Sequence, residues 1–592
     1  YMSPMPIGAA IAMTFSLLIA LTLTPYFGYK FLKFKDKKNR EHDDGESSTE
    51  LHETKIYKLY AKIAEPFLES RSKRWILMLS LTFFLLATFI LFFTKSVPVK
   101  MLPFDNKNEF QVMIDMPEGT TLERTASIAK ELGLYIGKSD KVQSYQTYVG
   151  TSAPISFNGL IRHYDYRSGD NTADIQVNLV DKSDRREQSH DIAKSMRDGL
   201  QAIGRKYSAN VKVVEVPPGP PVMSTIVAEI YGPEYGKQIE VASQIKSLLA
   251  KTNNVVDVDW SVEDNQTEYR FEVDKDKAMK LGIPEAQVMQ NVRGALSGMP
   301  VGILHRPANV ENVNIVLQLS EKDKASIEDI LALKVVNRQG MAIPVGDLVK
   351  VVRAEKAKSI SRKDQRRVIY VMADVAGDLE SPIYAMSDVS DKLPDVKLPE
   401  GYELHESYTK DLGSDDNLTL KWDGEWQITL DVFRDLGIAF LFVLIIIYIL
   451  IVAWFQDFTT PLVQLSAIPL SLIGIILGHW VMGAYFSAPS MIGFIALAGI
   501  MVRNSILLID FIDLRLKEGV PLKQAIIESG AVRTTPIMLT AGGVVIGAIV
   551  ILFDPIFQGL AISLIGGTLT STILTLIVVP LLYYKQLKNK VK

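Results

Sequence analysis

One apolar stretch carries side chains that could do chemistry. Residues 490–512 (SMIGFIALAGIMVRNSILLIDFI) hold Arg503 and Asn504 well inside and Asp510 near one end. The stretch is long enough to cross a bilayer, since roughly 20 apolar residues span roughly 30 Å of hydrocarbon. A charge at that depth costs about 2.5–3.5 kcal/mol on insertion scales, so it normally faces a bundle interior or a wet cavity and has a partner. Two readings follow. In one, Arg503, Asn504 and Asp510 belong to an ion or proton relay between helices. In the other, Arg503 is structural, pairing with a carboxylate or reaching toward the headgroups. Asp510 lies seven positions beyond Arg503. That is roughly 10 Å along a helix axis, long for a direct pair.

Two further groups stand out. Arg533-Thr-Thr-Pro536 opens an apolar run that continues through Thr540. Pro536 reads as a helix start, where its missing N–H costs nothing, and Arg533 and Thr540 share a helix face. Arg533 equally reads as an inner-leaflet anchor. Residues 152–171 (SAPISFNGLIRHYDYRSGDN) form a long, aromatic, glycine-containing loop between two expected strands. A loop of that length inside a domain is either a binding loop or a surface or interface loop.

The elements that must position these groups come in blocks. The chain has 592 residues, 48% hydrophobic, with a formal net charge of −3 and no cysteine. Nothing in that balance suggests a nucleic-acid partner. Disulfides, thiolate metal sites and cysteine nucleophiles are excluded. The apolar residues gather at the two ends, in seven expected spans: 7–27, 75–93, 436–454, 461–481, 490–512, 536–553 and 560–583. Lys30, Lys33, Lys35, Lys37, Lys38 and Arg40 follow the first span, and Arg71, Lys73 and Arg74 precede the second. Arg515, Lys517, Lys523 and Arg533 lie between the fifth and sixth, and Lys585, Lys588, Lys590 and Lys592 follow the seventh. All fall on one side if the spans alternate, and that side is cytoplasmic by the positive-inside rule. The start, Tyr1-Met2 followed at once by a span, has no basic region of a signal peptide and reads as the middle of a larger protein.

Between the spans, residues 51–70 carry Ile56, Leu59, Tyr60, Ile63 and Phe67 at helical spacing. They read as an amphipathic helix on the inner leaflet or a plain linker helix. Residues 97–430 are soluble in character and repeat a strand–helix–strand rhythm. Strands are expected at 110–116, 142–149, 173–180, 211–216, 225–231, 255–262, 269–273, 368–375 and 402–407, and a helix over 275–297 with a break at Pro284. This rhythm predicts two split βαβ, ferredoxin-like units. The fold class is therefore an α-helical transmembrane bundle with a large α+β extracytoplasmic region. The proline-rich 217–221 connector would set the angle between the two units. Gly542, Gly543 and Gly547, and Gly566 and Gly567 with their neighbouring hydroxyls, suit close helix packing. Arg503 has no acidic partner at mid-depth in the sequence, which places its counter-charge either on a helix outside this chain or on hydroxyls, carbonyls and water.

Taken together, the motifs Gly499-Ile-Met-Val-Arg503-Asn504-Ser-Ile-Leu-Leu-Ile-Asp510-Phe511 and Arg533-Thr-Thr-Pro536-Ile-Met-Leu-Thr540 resemble the RND superfamily of proton-coupled efflux pumps. The Leu102-Pro-Phe-Asp105, Pro117-Glu-Gly-Thr-Thr121, Val273-Asp-Lys-Asp-Lys-Ala-Met-Lys-Leu-Gly282 and Leu21-Thr-Leu-Thr-Pro25 segments add to the likeness. The resemblance is to hydrophobe/amphiphile permeases, and to their second half plus the last span of the first. It implies a fragment of an inner-membrane, proton-driven permease, a transporter rather than an enzyme, using the proton-motive force and no cofactor. It implies a homotrimer with a periplasmic adaptor and an outer-membrane channel. It divides the chain into a first span (1–33), a cytoplasmic linker (34–73), a second span (74–96), porter subdomains (97–221, and 222–299 with 361–410), a docking insertion (300–360) and five further spans (411–592). It makes Arg503, Asn504, Asp510, Arg533 and Thr540 relay positions. The family usually has Lys where Arg503 stands, so Arg503 would act as a fixed counter-ion that hardly titrates. The 152–171 loop falls near the family's substrate-gating loop, with Phe157, Asn158, Gly159, Arg162 and Tyr164 as its contact residues. Two relatives of other function remain open: a metal exporter, whose ligands would have to come from Met223, Met279, Met289 and Met299, and a protein-export or membrane-assembly factor. No nucleophile–base set, P-loop or HExxH supports an enzyme.

Overall fold

The computed structural model describes residues 4–31, 52, 54–216, 219, 222–307, 309, 311–409, 412 and 416–590. Most of the polar linker, and the 217–221 connector apart from Gly219, lie outside the described residues. Among the described residues, seven helices are long and apolar enough to cross a membrane: Ile7–Phe31, Arg71–Phe93, Glu425–Phe455, Thr460–Met482, Ala488–Lys517, Leu522–Ile551 and Gln558–Lys588. They are the first to seventh spans below.

Two of these differ from expectation. The third starts eleven residues before 436, directly after a strand. The sixth runs Leu522–Ile551 with Pro536 inside it, so Pro536 does not open the helix. Its ring removes one interior hydrogen bond, a cost that spanning helices tolerate where neighbours satisfy the freed carbonyl. The fourth span is built from three helical pieces, with breaks at Ser466 and Ser471.

Backbone contact holds the inner spans together. A Cβ on Gly474 would sit 2.3 Å from the Gly566 carbonyl oxygen, and one on Gly566 would sit 2.4 Å from that of Gly474. Only glycine at both positions lets the fourth and seventh spans approach so closely. Gly567 is pressed against Leu497 of the fifth span in the same way. By contrast, Gly542, Gly543 and Gly547 meet no described atom within 4 Å. The close packing expected at those three is not made by the described residues.

The linker helix Lys55–Glu69 buries Tyr60, Ala64 and Leu68. The Tyr60 hydroxyl donates to the Leu576 carbonyl at 2.7 Å, and Gly530 leaves room for its ring. The helix thus packs on the sixth and seventh spans, while Ile56, Leu59 and Ile63 stay exposed.

Among the described residues, the part of the soluble region outside 262–360 holds two sheets. The first follows the order Glu109–Asp115, helix Leu122–Ile136, Val142–Thr151, Ser168–Leu179, helix Ser189–Tyr207, Asn210–Val214. Its strands lie second–third–first–fourth across the sheet, and every pairing is antiparallel. Alternating Phe110, Val112 and Ile114 meet Ile128, Leu132, Ile136 and Leu200 of the helices in one apolar core. The second sheet repeats the sequence with Ile226–Tyr231, helix Tyr235–Ala250, Val255–Trp260, Arg366–Val375, helix Pro382–Ser390 and a closing strand.

That closing strand is Leu418–Gly424, antiparallel to Ile226–Tyr231. The expected closing strand near 402–407 is instead a short edge strand, Leu404–Ser407, parallel to it. Leu418–Gly424 contains the fully buried Trp422 and runs straight into the third span, so its apolar residues merge in the sequence with those of the helix.

Residues Val262–Ile360 form a separate compact unit. Strand Thr267–Val273 pairs with Val349–Glu355, and helices Lys275–Lys280 and Glu285–Ser297 follow on either side of Pro284. Ala278, Ile283 and Val288 share a core with Val335, Ile343, Val345 and Leu348. The compact unit thus takes in 262–299 as well as 300–360. The turn-rich 300–360 stretch has too few apolar residues to bury alone, and the helices before it supply the rest.

Candidate functional site

The fifth span divides its polar groups between two faces. Arg503 and Asp510, seven residues apart, are both exposed, while Asn504 is turned inward beside Met501 and Leu508. A helix turns by about 100° per residue, so adjacent Arg503 and Asn504 cannot share a face. Arg503 lines an apolar cavity of about 330 Å³ with Ile447, Gly499, Val502, Ile506 and Leu507. A second cavity, of about 380 Å³, continues along Leu450, Ile451 and Trp454 of the third span. Among the described residues no carboxylate lies within 4 Å of Arg503.

Arg533 sits apart from this groove, with its guanidinium 4.9 Å from the centre of the Phe511 ring. That places it beside the residue that follows Asp510, and its Nε has no hydrogen-bond partner among the described residues. Thr540 is exposed and donates to the Ile537 carbonyl at 2.9 Å. The structure therefore brings Arg503 and Asp510 onto one face and Arg533 to the neighbourhood of Asp510. It turns Asn504 away.

The 152–171 loop is tied down rather than free. Phe157–Arg162 is a short helix, capped by the Ser156 hydroxyl accepting from Gly159 N–H. Gly159 faces the Asp165 carboxylate. Arg162 reaches Asp374 of the second sheet, Nη1 to Oδ2 at 2.7 Å and Nη2 to Oδ1 at 3.4 Å. Asp374 also accepts from the Thr225 N–H and hydroxyl and the Ser224 hydroxyl. Burial works to raise the Asp374 carboxyl, but Arg162 and these donors hold it well below the usual range. Tyr164 is half-buried beside Arg162.

Arg162 is one member of a chain of ion pairs joining the two sheets. Arg197 pairs with Asp257, and Lys212 bridges Asp115 and Asp259. His190 bonds Glu215 at 2.7 Å through Nδ1 and Glu380 at 2.9 Å through Nε2. Lys194 donates to Glu380 at 2.7 Å. A bulge supports the pairing: the register of Val255–Trp260 against Arg366–Val375 shifts between Met372 and Asp374, and Asp257 there has φ 55°. Bulges re-aim side chains in this way. Burial lowers the His190 imidazole, but its bonds to Glu215 and Glu380 outweigh it and lift the ring to about 9.

Sequence reading missed this seam and a buried histidine. His479, in the fourth span, is fully buried, with Nδ1 2.8 Å from the Ile475 carbonyl and Nε2 2.8 Å from the Ser490 hydroxyl. The signal for His479 was present, since an ionisable residue inside a span is a candidate by default. The seam had no such signal, because its partners are far apart in the chain.

Comparison with known proteins gives this arrangement its context. The AcrB/AcrD/AcrF family pattern matches residues 2–586. The swarming motility protein SwrC of Bacillus subtilis is 25% identical over 98% of this chain and 51% of its own length. The multidrug resistance protein MdtC of Yersinia pestis is 20% identical over 98% of this chain and 53% of its own. The cobalt-zinc-cadmium resistance protein CzcA of Cupriavidus metallidurans is 24% identical over 61% of this chain and 33% of its own. A crystal structure of a heavy metal efflux pump superposes with a TM-score of 0.72 at 21% identity, covering 89% of this chain and 52% of that one. The chain spans about half the length of SwrC and MdtC or less of the others. With its seven membrane-length helices and paired sheets, the chain belongs to the AcrB/AcrD/AcrF family of RND permeases.

Proposed function

We propose that this chain is the C-terminal portion of an inner-membrane, proton-driven RND permease that exports hydrophobic or amphiphilic compounds. The observation that carries the reading is the fifth-span face. It presents Arg503 to an apolar groove where no described side chain answers the guanidinium. A charge kept there against its insertion cost normally has a partner or faces a water-filled path. On this reading a carboxylate outside the chain, protonated from the periplasm, releases Arg503. Arg503 itself stays charged, since a guanidinium does not deprotonate in this range. The helices then shift, and the shift is passed to the porter subdomains. Both sites must bias the same two states for that coupling to work.

The sheet order, helix-covered in each unit, supports two ferredoxin-like porter subdomains, with Val262–Ile360 as the docking insertion. A homotrimer working with a periplasmic adaptor and an outer-membrane channel completes the proposal. Phe157, Asn158, Gly159, Arg162 and Tyr164 lie in its gating loop, where Arg162 anchors the loop through Asp374.

A second reading, metal export, is favoured by the names of CzcA and of the heavy metal efflux pump structure. The test is export by the full-length protein in cells carrying Arg503→Ala. Loss of proton-driven ethidium efflux with normal protein levels is the expected result, and undiminished efflux removes Arg503 from the mechanism. Cobalt or zinc tolerance conferred in place of dye efflux selects the second reading.

A further inference from the structure

A cavity of about 370 Å³ opens where the spans meet the sheet region, on the side of the 97–424 segment. It lies between the turn joining the fourth and fifth spans, the turn joining the sixth and seventh, and the stretch that leaves the second span. It is distinct from the groove beside Arg503, which is lined by the third and fifth spans. At about 30 Å³ per water it has room for roughly a dozen waters, the size of a headgroup rather than a whole lipid.

Lys100 defines its chemistry. The side chain is only 3% exposed and it lines the cavity. Its ammonium lies 4.3 Å from the centre of the Phe104 ring and 5.5 Å from that of Tyr485. The nearest carboxylate oxygen, on Glu380, is 3.8 Å away, outside hydrogen-bond range. An ammonium carries three donors, and among the described residues none of those of Lys100 makes a hydrogen bond. Glu380 is already occupied, accepting from His190 and Lys194. Burial works to raise its carboxyl, but His190, Lys100 and Lys194 outweigh it and hold it at about 2.

Lys194 and protonated His190 spend their charge on Glu215 and Glu380, and the buried Glu425 also acts on Lys100 from beyond hydrogen-bond range. The His190 ring, stacked on Phe104 at 4.4 Å, is held up to about 9 and keeps its proton at neutral pH. Asp554, beside the mouth, spends its carboxylate on the Ile556 and Phe557 N–H groups. The rest of the wall carries the amides of Gln188 and Gln558 beside the apolar Leu552, Pro555 and the exposed Phe553. A buried ammonium short of hydrogen bonds, flanked by aromatic rings and opening onto apolar residues at the ends of spans, matches one chemistry. We propose that this cavity binds the anionic headgroup, carboxylate or phosphate, of an amphiphile lying at the membrane surface, with Lys100 as its counter-charge.

The proposal goes beyond the transport reading and is tested without a proton gradient. Dodecanoate is titrated calorimetrically into the purified full chain in dodecyl maltoside. Saturable binding of one dodecanoate per chain is expected. Lys100→Met should weaken it about 10-fold or more, the loss of a charged hydrogen bond, and Lys100→Arg should retain it. Phe553→Asp, at an exposed position that leaves the fold intact, should weaken it by a similar factor by placing a negative charge at the mouth. Repeating the titration in nanodiscs distinguishes the sources. Competition by phosphatidylglycerol but not phosphatidylcholine supports a lipid headgroup, and its absence supports a free amphiphile. The proposal is overturned if dodecyltrimethylammonium binds as tightly as dodecanoate, if inorganic phosphate alone does so, or if both the Lys100→Met and Phe553→Asp proteins bind dodecanoate at full strength. Failure of dye efflux in cells with intact dodecanoate binding would count against the pump reading and leave this site standing.

Discussion

The fifth-span face and the seam between the two sheets both carry arginines, yet they treat the charge in opposite ways. In the seam the guanidinium groups meet carboxylates of the other sheet: Arg162 meets Asp374 and Arg197 meets Asp257. On the fifth span, Arg503 meets none among the described residues and looks onto an apolar groove. Buried ion pairs add little net stability, but breaking one strands a charge. The seam is therefore a fixed joint, whereas Arg503 makes no ion pair among the described residues.

The largest expected effect breaks the seam. Arg162→Leu leaves Asp374 buried with hydroxyl and N–H donors only, and should cost about 3–5 kcal/mol in urea unfolding monitored on the soluble region. The Arg162→Leu/Asp374→Leu double variant should recover much of that loss, because no charge is left stranded. If both variants lose the same amount, the seam is not a fixed electrostatic joint.

Next in size is a packing control within the bundle. Gly474→Val places side-chain atoms against the Gly566 carbonyl and Thr570. It should cost about 1–3 kcal/mol by thermal unfolding in detergent. Gly543→Val, where no described atom lies within 4 Å, should change little. Equal effects at the two positions would show that the bundle is not held by the 474–566 contact.

A pH series sharpens the comparison further. His190 has its folded value raised to about 9 from an ordinary 6.5, chiefly by its two carboxylates acting against burial. Its contribution is complete below about pH 6.5 and is lost as pH rises through 9. Glu380, lowered from 4.5 to about 2, contributes fully above about 4.5 and loses it as pH falls through 2. The seam should be firmest between those limits, and the melting temperature should fall from pH 6.5 to 9. His190→Gln should remove that fall. A slope unchanged by the substitution would assign the pH dependence elsewhere.

The smallest expected effect on stability is at Arg503. Arg503→Leu in this chain alone removes an unanswered charge from an apolar surface. It should leave the melting temperature unchanged or higher, even though export is expected to fail. A clear loss of stability would mean that Arg503 has a structural partner after all, and the contrast with the seam would dissolve.

Much of the architecture could be read along the chain. Spans show as apolar blocks because hydrocarbon demands about 20 apolar residues in a row, and strands such as Glu109–Asp115 show because their alternation repeats every two residues. Arg503 stood out for the same reason, as a charge interrupting an apolar block. Pro536 misled, because a proline looks the same at a helix start and at a tolerated interior position. Strand Leu418–Gly424 was hidden, since it runs without a break into the third span. His479 was visible and passed over.

Sequence by itself determined the membrane-length apolar blocks, the two-fold strand–helix rhythm and the presence of a charge within the fifth span. These are properties of short windows, set by local periodicity and by the solvent each window must face. Only the tertiary structure decided that Asn504 turns away from Arg503, that 262–299 packs with 300–360, and that Arg162 answers an aspartate 212 residues away. It alone left the Lys100 ammonium buried with no hydrogen bond among the described residues. Ion pairing and burial depend on distances through space, and no spacing along the chain encodes them.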